Sequence, residues 1–427
     1  MESDWTVDHG PYSEFGDLLT LRGAQYMGAG YDIPAIRGVG RTVCTNHIWG
    51  SAFRAYGSPQ AFLASESLMD ELAEKMGVDP LELRYKNVYR AAATTPTGQT
   101  PDAWSFPEMI DLLRPRYQAA LEKAQKESTA NVKQGVGVSL GIYGCGLDGP
   151  DSSEVWVELT KDGVTLGVSW EDHGQGADMG ALGTAHEALR PLSLAPESIK
   201  LVMNDTGVTP NSGPSGGSRQ QVVTGNAIVN GCQQLVAAMK KTDGSFRTYD
   251  EMVAEGIAIR YAGKYTASMA SACDENAQGS PFSVYMYGLF MAEVAVEVAT
   301  GKTKIEKYTA VADVGRINNK LVVDGQMYGG IAQGIGLALS EDCEDLTKHR
   351  TMVSCGLPYA EDIPDDIELL YVESPRENGP FGAAGVGECP LTASHVAVIN
   401  AIKNATGVRI THLPALPEKV LAGLKAL

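Results

Sequence analysis

"EVWVELTKDGVTLGVSW", residues 154–170, alternates apolar and polar side chains twice around a tight turn. Val155, Val157 and Leu159 share one face, Lys-Asp-Gly reverses the chain, and Val164, Leu166, Val168 and Trp170 alternate back. Alternation of period two around a Gly-containing turn predicts a β-hairpin with one buried side. The next segment, "DHGQGADMGALGTAHEAL" (172–189), enters a helix through glycines. The layout returns downstream. "AEVAVEVATGKTKIEKYTAVADVG" (292–315) reads as a second hairpin turned at Ala-Thr-Gly-Lys, and "DGQMYGGIAQGIGLALSE" (324–341) as its glycine-studded helix. Two strand–strand–helix units predict an α+β fold in which β-hairpins alternate with helices. "GGSRQQVVTGNAIVNGCQQLVAAMKK" (216–241) is a third helix opened by glycines, and "LPALPEKVLAGLKAL" (413–427) a short proline-started one.

Upstream of residue 130 the texture differs, and no opening element is recognisable. In "SAFRAYGSPQAFLASESLMDELAEKMGVDP" (51–80), Ser58 and Pro59 read as N-cap and first helical residue. Phe62, Leu63, Leu68, Met69, Leu72 and Met76 follow at helical spacing, and Gly77 closes the helix. Asp79, Pro80 and Glu82 open a second helix with the capping-box pattern. "AAATTPTGQTPDAW" (91–104) is a polar loop, and the charged helix "QAALEKAQKES" (118–128) leads to a boundary near residue 130. Two domains are therefore expected, 1–130 and 131–427.

Composition narrows the partners. The formal charge of the 427-residue chain is 34 − 52 = −18, so nucleic acid and anionic membrane surfaces would repel it. No stretch approaches the roughly 18 apolar residues of a membrane span. The opening "MESDWTVDHGPYSEFG" has neither the basic nor the apolar region of a signal peptide, and the cytoplasm is the expected compartment. The seven cysteines are scattered without a CxxC pair, which predicts free thiols and neither a zinc nor an iron–sulfur site.

Four glycine-rich loops precede or enter helices: "FRAYG" (53–57), "DHGQG" (172–176), "SGPSGGSRQQ" (212–221) and "GPFGAAGVGECPLT" (379–392). Glycine ahead of a helix lets backbone N–H groups converge on an anion, aided by the helix N-terminus. None matches the dinucleotide fingerprint or the P-loop. The bland alternative is tight turns and close helix packing. Amide or hydroxyl donors at Gln175, Ser218, Gln220 and Gln221, together with Arg54, point to a large phosphate-bearing cofactor. In the fourth loop Glu388 stands as the only charged side chain. It is either an exposed carboxylate or a general base whose pKa burial raises toward neutrality. Cys389 with His395 could instead form a nucleophile and base. His173 and His186 lack metal-ligand spacing.

Taken in order, "IPAIRGVGRTVCTNHIWGSAFRAYGSPQ", "GVDPLELRYKN", "DHGQGADMG", "NSGPSGGSRQQVVTGNA", "DGQMYGGIAQGIGLALSED" and "FGAAGVGECPLT" resemble the molybdenum-binding domains of the xanthine oxidase and aldehyde oxidoreductase family. The resemblance runs from about residue 11 to the end, and is nearest to the flavin-free aldehyde oxidoreductases. It implies two molybdopterin-binding domains, the first incomplete, and oxidation of aldehydes to carboxylic acids with water as oxygen source. Molybdopterin cytosine dinucleotide is the implied cofactor, its molybdenum held by the pterin dithiolene without a direct protein ligand. Glu388 falls at the family's catalytic glutamate beside the metal. The resemblance places Phe53, Arg54, Ala55 and Tyr56 against the cofactor, with His173, Gly174 and Gln175. Gly217, Ser218, Gln220 and Gln221 match pterin- and phosphate-holding positions, and Gly385, Val386 and Gly387 flank the glutamate. Phe15, Leu18, Tyr56 and Leu147 match an apolar substrate funnel, and Arg22 a position near the substrate.

Ala55 departs from the family, which has Gly there. The resemblance also implies that 2Fe–2S clusters and an earlier molybdenum loop belong to an N-terminal portion or partner subunit, with this chain as the catalytic half of an aldehyde-oxidising enzyme. A homodimer is implied by the same likeness. The competing expectation is a non-catalytic fragment or scaffold subunit without metal.

Overall fold

The computed structural model describes residues 1–427. The chain opens with strand β1 (Glu2–Asp8), which pairs in parallel with β2 (Arg37–Val43) across helix α1 (Gly16–Tyr26). This opening strand was not recognised in the sequence. Its inner residues are only half-buried, so the apolar alternation that marks a strand is weak there. Helices α2 (Ser58–Met76), α3 (Pro80–Asn87) and α4 (Phe106–Glu127) follow.

Two details of α2 differ from expectation. The N-cap is Gly57 in a left-handed conformation, and Ser58 is the first helical residue, its hydroxyl donating to the Ala55 carbonyl 2.6 Å away. Leu68, Leu72 and Met76 are exposed, whereas Phe62, Ser65, Glu66 and Ala73 are buried. A polar pair buried at Glu66 has rotated the inward face away from the apolar stripe. Gly77 does close the helix in the left-handed region, and the Asp79 carboxylate caps α3 through the Leu81 and Glu82 N–H groups. Glu82 turns to Arg114 instead of completing the capping box.

Strand β3 (Val132–Cys145) begins the main sheet, whose order is β10-β9-β8-β3. Between β3 and β8 in sequence lies a second unit. It consists of the hairpin β4 (Ser152–Thr160) and β5 (Gly163–Val168), then α5 (Ala177–Ala188), β6 (Ile199–Met203), α6 (Gln220–Met239), α7 (Tyr249–Ala254) and β7 (Arg260–Thr266). Its sheet order is β6-β5-β4-β7. The chain returns to the main sheet with the antiparallel hairpin β8 (Val284–Glu297) and β9 (Thr303–Asp313). Helix α8 (Lys320–Leu339), strand β10 (Ile367–Tyr371) and helices α9 (Ser394–Thr406) and α10 (Pro417–Ala426) complete it. Both strand–strand–helix units are present, in a mixed α+β architecture.

Helix α9 lies against β3, where Gly135 and Gly137 leave no room for a side chain. A Cβ at these positions would stand 2.3 and 2.1 Å from backbone atoms of Ala401. That approach buries α9 from Ser394 to Ile402 without interruption. The core does not divide at residue 130. Tyr26, Phe62, Phe106 and Leu113 share one cluster with β3, β8, β9 and α9, and a smaller cluster fills the β4–β7 unit.

Candidate functional site

The four glycine loops meet. They line one cavity of about 810 Å³ between the main sheet and the β4–β7 unit. From the first loop come Phe53, Arg54 and Tyr56, from the second His173 and Gln175, from the third Gly217, Ser218, Gln220 and Gln221, and from the fourth Gly385 to Glu388. Phe15, Leu18, Arg22 and Leu147 form a further wall. Two expected positions lie outside the lining. Ala55 is fully buried at φ 64°, turned into the protein, and Gly174 sits at the exposed tip of its turn.

Local geometry shows why these residue types recur. A Cβ on Gly385 would lie 2.2 Å from the Ser218 carbonyl oxygen, so only glycine lets the fourth loop lie on the third. Gly217 (φ 60°) and Ser218 (φ 51°) are both left-handed, which turns the chain into α6. The Arg54 side chain locks the first loop to the fourth. Its Nε donates to the Gly387 carbonyl, Nη1 to Gln333 Oε1 at 2.9 Å, and Nη2 to Gln326 Oε1 at 3.0 Å. Burial pushes its pKa down to about 10.

Glu388 stands at the cavity wall. Tyr143 donates to its Oε1 at 3.0 Å and the Ser218 hydroxyl to its Oε2 at 2.5 Å. Neither partner is charged. Burial raises its pKa above the ordinary glutamate range, while the two hydroxyl bonds and the charges of Arg22 and Arg54 oppose the rise. A carboxylate so held is a proton acceptor with no cation fixing it in the ionised state.

The rival pair is separated by the fold. The Cys389 thiol contacts the Tyr287 carbonyl and burial drives its pKa up, away from reactivity. His395 faces the Pro59 carbonyl at 3.0 Å, and burial pushes its pKa down to about 4. His186 is exposed on α5.

The amide side chains expected to face an anion are largely engaged within the protein. Gln175 donates to Glu171 O, Gln220 to Gly213 O and Gln221 to Thr184. What remains open is backbone. Helix α6 starts at the cavity with no side-chain N-cap, whereas at α5 the Asp178 and Met179 N–H groups donate to the Asp172 and Asp178 carboxylates, and at α8 the Val322 N–H donates to Asn319. Sequence reasoning missed Tyr143, Trp170 and the Arg316–Asn319 connection, all of which line the cavity. Arg316 is exposed and forms no ion pair. The run "VGRINNK" could have been found, since it too is a glycine and polar residues ahead of a helix. Tyr143 carried no local signal.

Known proteins give this geometry a family. The molybdopterin cofactor-binding domain matches twice, over residues 1–88 and 112–364. The chain belongs to the molybdopterin cofactor-binding domains of the xanthine oxidase family. Among molybdopterin-domain relatives, an aldehyde oxidoreductase of Megalodesulfovibrio gigas is 64% identical over all of this chain and 47% of its own length. A xanthine dehydrogenase/oxidase of Felis catus is 28% identical over 93% of this chain and 31% of its own. The crystal structure of the aldehyde oxidoreductase from Desulfovibrio desulfuricans superposes with a TM-score of 0.96 at 66% identity, over 98% of this chain and 46% of that one. The chain thus spans a third to a half of the length of these relatives. No helix is long and apolar enough to cross a membrane.

Proposed function

We propose that this chain is the catalytic molybdenum half of an enzyme that oxidises aldehydes to carboxylic acids with water as oxygen source. The observation that carries this reading is the convergence of four separate glycine loops on one cavity, with the Glu388 carboxylate in its wall. Identity of 64% to an aldehyde oxidoreductase supports the choice of substrate class.

The residues present suit a bulky anionic pterin. A Cβ on cavity-lining Gly216 would meet nothing within 4 Å, so the wall is open where a large group needs room. The uncapped N-terminus of α6 favours phosphate oxygens, and Arg316 adds an unpaired cation. No group of three His, Cys, Asp or Glu side chains is arranged to hold a metal, so molybdenum would be carried on its organic ligand. Gly217–Gln221 and Gly385–Gly387 would hold the pterin and its phosphates, with Arg54 and Phe53 beside the fourth loop. When bound, the cofactor would supply the two-electron oxidation and deliver the water-derived oxygen.

The chain's own residues do the rest. Glu388 takes the proton released as water is activated, its raised pKa making it a stronger proton acceptor than an ordinary glutamate. Ser218 and Tyr143 orient the two carboxylate oxygens. Phe15, Leu18, Tyr56 and Leu147 receive the apolar part of the aldehyde and exclude water. Phe15 and Tyr56 meet edge to face, and the Tyr56 hydroxyl donates to the Phe15 carbonyl.

In this reading the cofactor is the cytosine dinucleotide form. Electrons leave through 2Fe–2S clusters on polypeptide matching the remaining length of the relatives, in a cytoplasmic homodimer. The test is metal analysis and aldehyde oxidation by the chain together with that iron–sulfur portion. Molybdenum near one per complex is expected, with Glu388→Gln lowering turnover at least ~10²-fold while molybdenum is retained. Full turnover by a molybdenum-loaded Glu388→Gln protein refutes the assignment.

A further inference from the structure

Arg22 lines the cavity beside the apolar wall, and a buried arginine there would ordinarily serve as an anchor for a substrate anion. Its surroundings prevent this. The side chain is almost fully buried, with Nη2 at 3.4 Å from Asp148 Oδ2 and donating to the Gly146 carbonyl at 3.2 Å. Nη1 donates to the Tyr26 hydroxyl at 3.3 Å, while Nε is buried without a partner. The Phe282 and Tyr143 rings cover the guanidinium, their centroids 4.6 and 5.6 Å from its carbon. Asp148 is itself fixed. Gln25 Nε2 donates to its Oδ1 at 2.9 Å, and its backbone is left-handed at φ 64°. The other arginine beside Glu388, Arg54, is committed to Gly387, Gln326 and Gln333.

We infer that Asp148, by neutralising Arg22, makes this pocket select uncharged aldehydes and reject aldehydes whose tail carries a carboxylate. The inference rests on the aldehyde-oxidising reading and names the substrate class of the same site. A tail carboxylate entering the cavity would be stripped of water beside Glu388, with the Arg22 Nη groups and the Arg54 guanidinium already engaged. Neutral tails, aromatic or aliphatic, meet Phe15, Leu18, Tyr56 and Leu147. Asp148 is therefore a specificity-determining residue acting through Arg22, outside the proton-transfer chemistry.

The test compares isosteres. In the complete molybdenum-loaded enzyme, kcat/KM is measured for meta- and para-carbamoylbenzaldehyde against the matching carboxybenzaldehydes. The amides are expected to be favoured at least ~10²-fold, the scale at which unpaired buried polar groups discriminate. Asp148→Asn keeps the shape and the Gln25 contact while releasing Arg22. It should narrow the ratio about tenfold or more through KM for the acids, leaving kcat for the amides unchanged. Binding gives an independent readout. Calorimetric titration of the unsubstituted protein should show para-toluamide binding and para-toluate binding more weakly, with Asp148→Asn closing the gap. Equal preference for acid and amide in the unsubstituted enzyme overturns the inference even if the variant does not fold, as does an unchanged ratio in a folded Asp148→Asn. Failure of both aldehydes to turn over, with the binding preference intact, defeats the aldehyde-oxidising reading and leaves the charge selection standing.

Discussion

Glu66 and Glu388 are both withdrawn from solvent, and their surroundings differ in kind. Glu66 on α2 is sealed in the main core. Arg84 Nε donates to its Oε2 at 2.9 Å, the Leu140 N–H to the same oxygen at 3.0 Å, and the Tyr31 hydroxyl to Oε1. Arg84 also reaches Asp70 at 2.7 Å. Glu388 has two hydroxyl partners, no cation in contact, and an open side on the cavity. The first arrangement holds a permanent charge pair and ties α2, α3 and β3 together. The second leaves a carboxylate with no cation in contact and its pKa raised by burial. Burial alone does not distinguish a structural acid from a working one; the charge of its neighbours and its access to a cavity do.

The largest expected effect probes the first of these. Glu66→Ala leaves Arg84 buried without its main partner and should cost about 3–5 kcal/mol, read by urea denaturation. Glu388→Gln in the same assay should be neutral or slightly stabilising, because it removes a carboxylate that burial disfavours. Equal losses for both would erase the contrast.

Next comes His395, sealed as Glu66 is but without a charged partner. Its folded pKa of about 4 lies below the usual 6.5 or so of an unfolded histidine, so the unfolded chain binds more protons between these values. Stability should therefore fall as pH drops through that window, by about 3 kcal/mol in total for this one group. His395→Gln should remove that share of the slope, as pH-dependent melting would show. An unchanged slope would mean that water reaches His395.

A smaller effect concerns the tuning of Glu388. Ser218→Ala removes a bond that favours the ionised form, so the carboxyl pKa should rise further. Activity that needs the carboxylate would then fall about tenfold more on the acid limb than on the high-pH plateau, if the shift is about one pKa unit. The pH profile of kcat/KM checks this. The smallest change is Ala55→Gly. Ala55 is fully buried at φ 64°, which costs a residue with a side chain about 1 kcal/mol. Relief of that strain should raise stability by about this amount with the cavity intact.

Glu66 also shows where sequence reading failed. Along α2 it was not singled out, and Leu68, Leu72 and Met76, which share helical spacing with Phe62, are exposed while Glu66 is buried. The actual inward face is set by Arg84, eighteen residues away on the next helix. The error at Ser58 was one residue, a short-range matter, since Gly57 takes the capping position by its backbone. Glu388 was found because a lone charge in a glycine-rich loop is locally conspicuous. Tyr143, which hydrogen-bonds it, was not, because it reaches the site from β3 across 245 positions of chain.

What the sequence by itself determined is the set of elements whose pattern repeats within a few residues: the two hairpins, their glycine-led helices, and the loops that need glycine. These depend on neighbours along the chain, whose spacing the backbone geometry fixes. Only the tertiary structure decided which polar groups lose water and which face a cavity. Desolvation and pairing are set by contacts such as Arg54 with Gly387 and Ser218 with Glu388, and residues so far apart in sequence acquire their electrostatic surroundings only when the sheets and helices have packed.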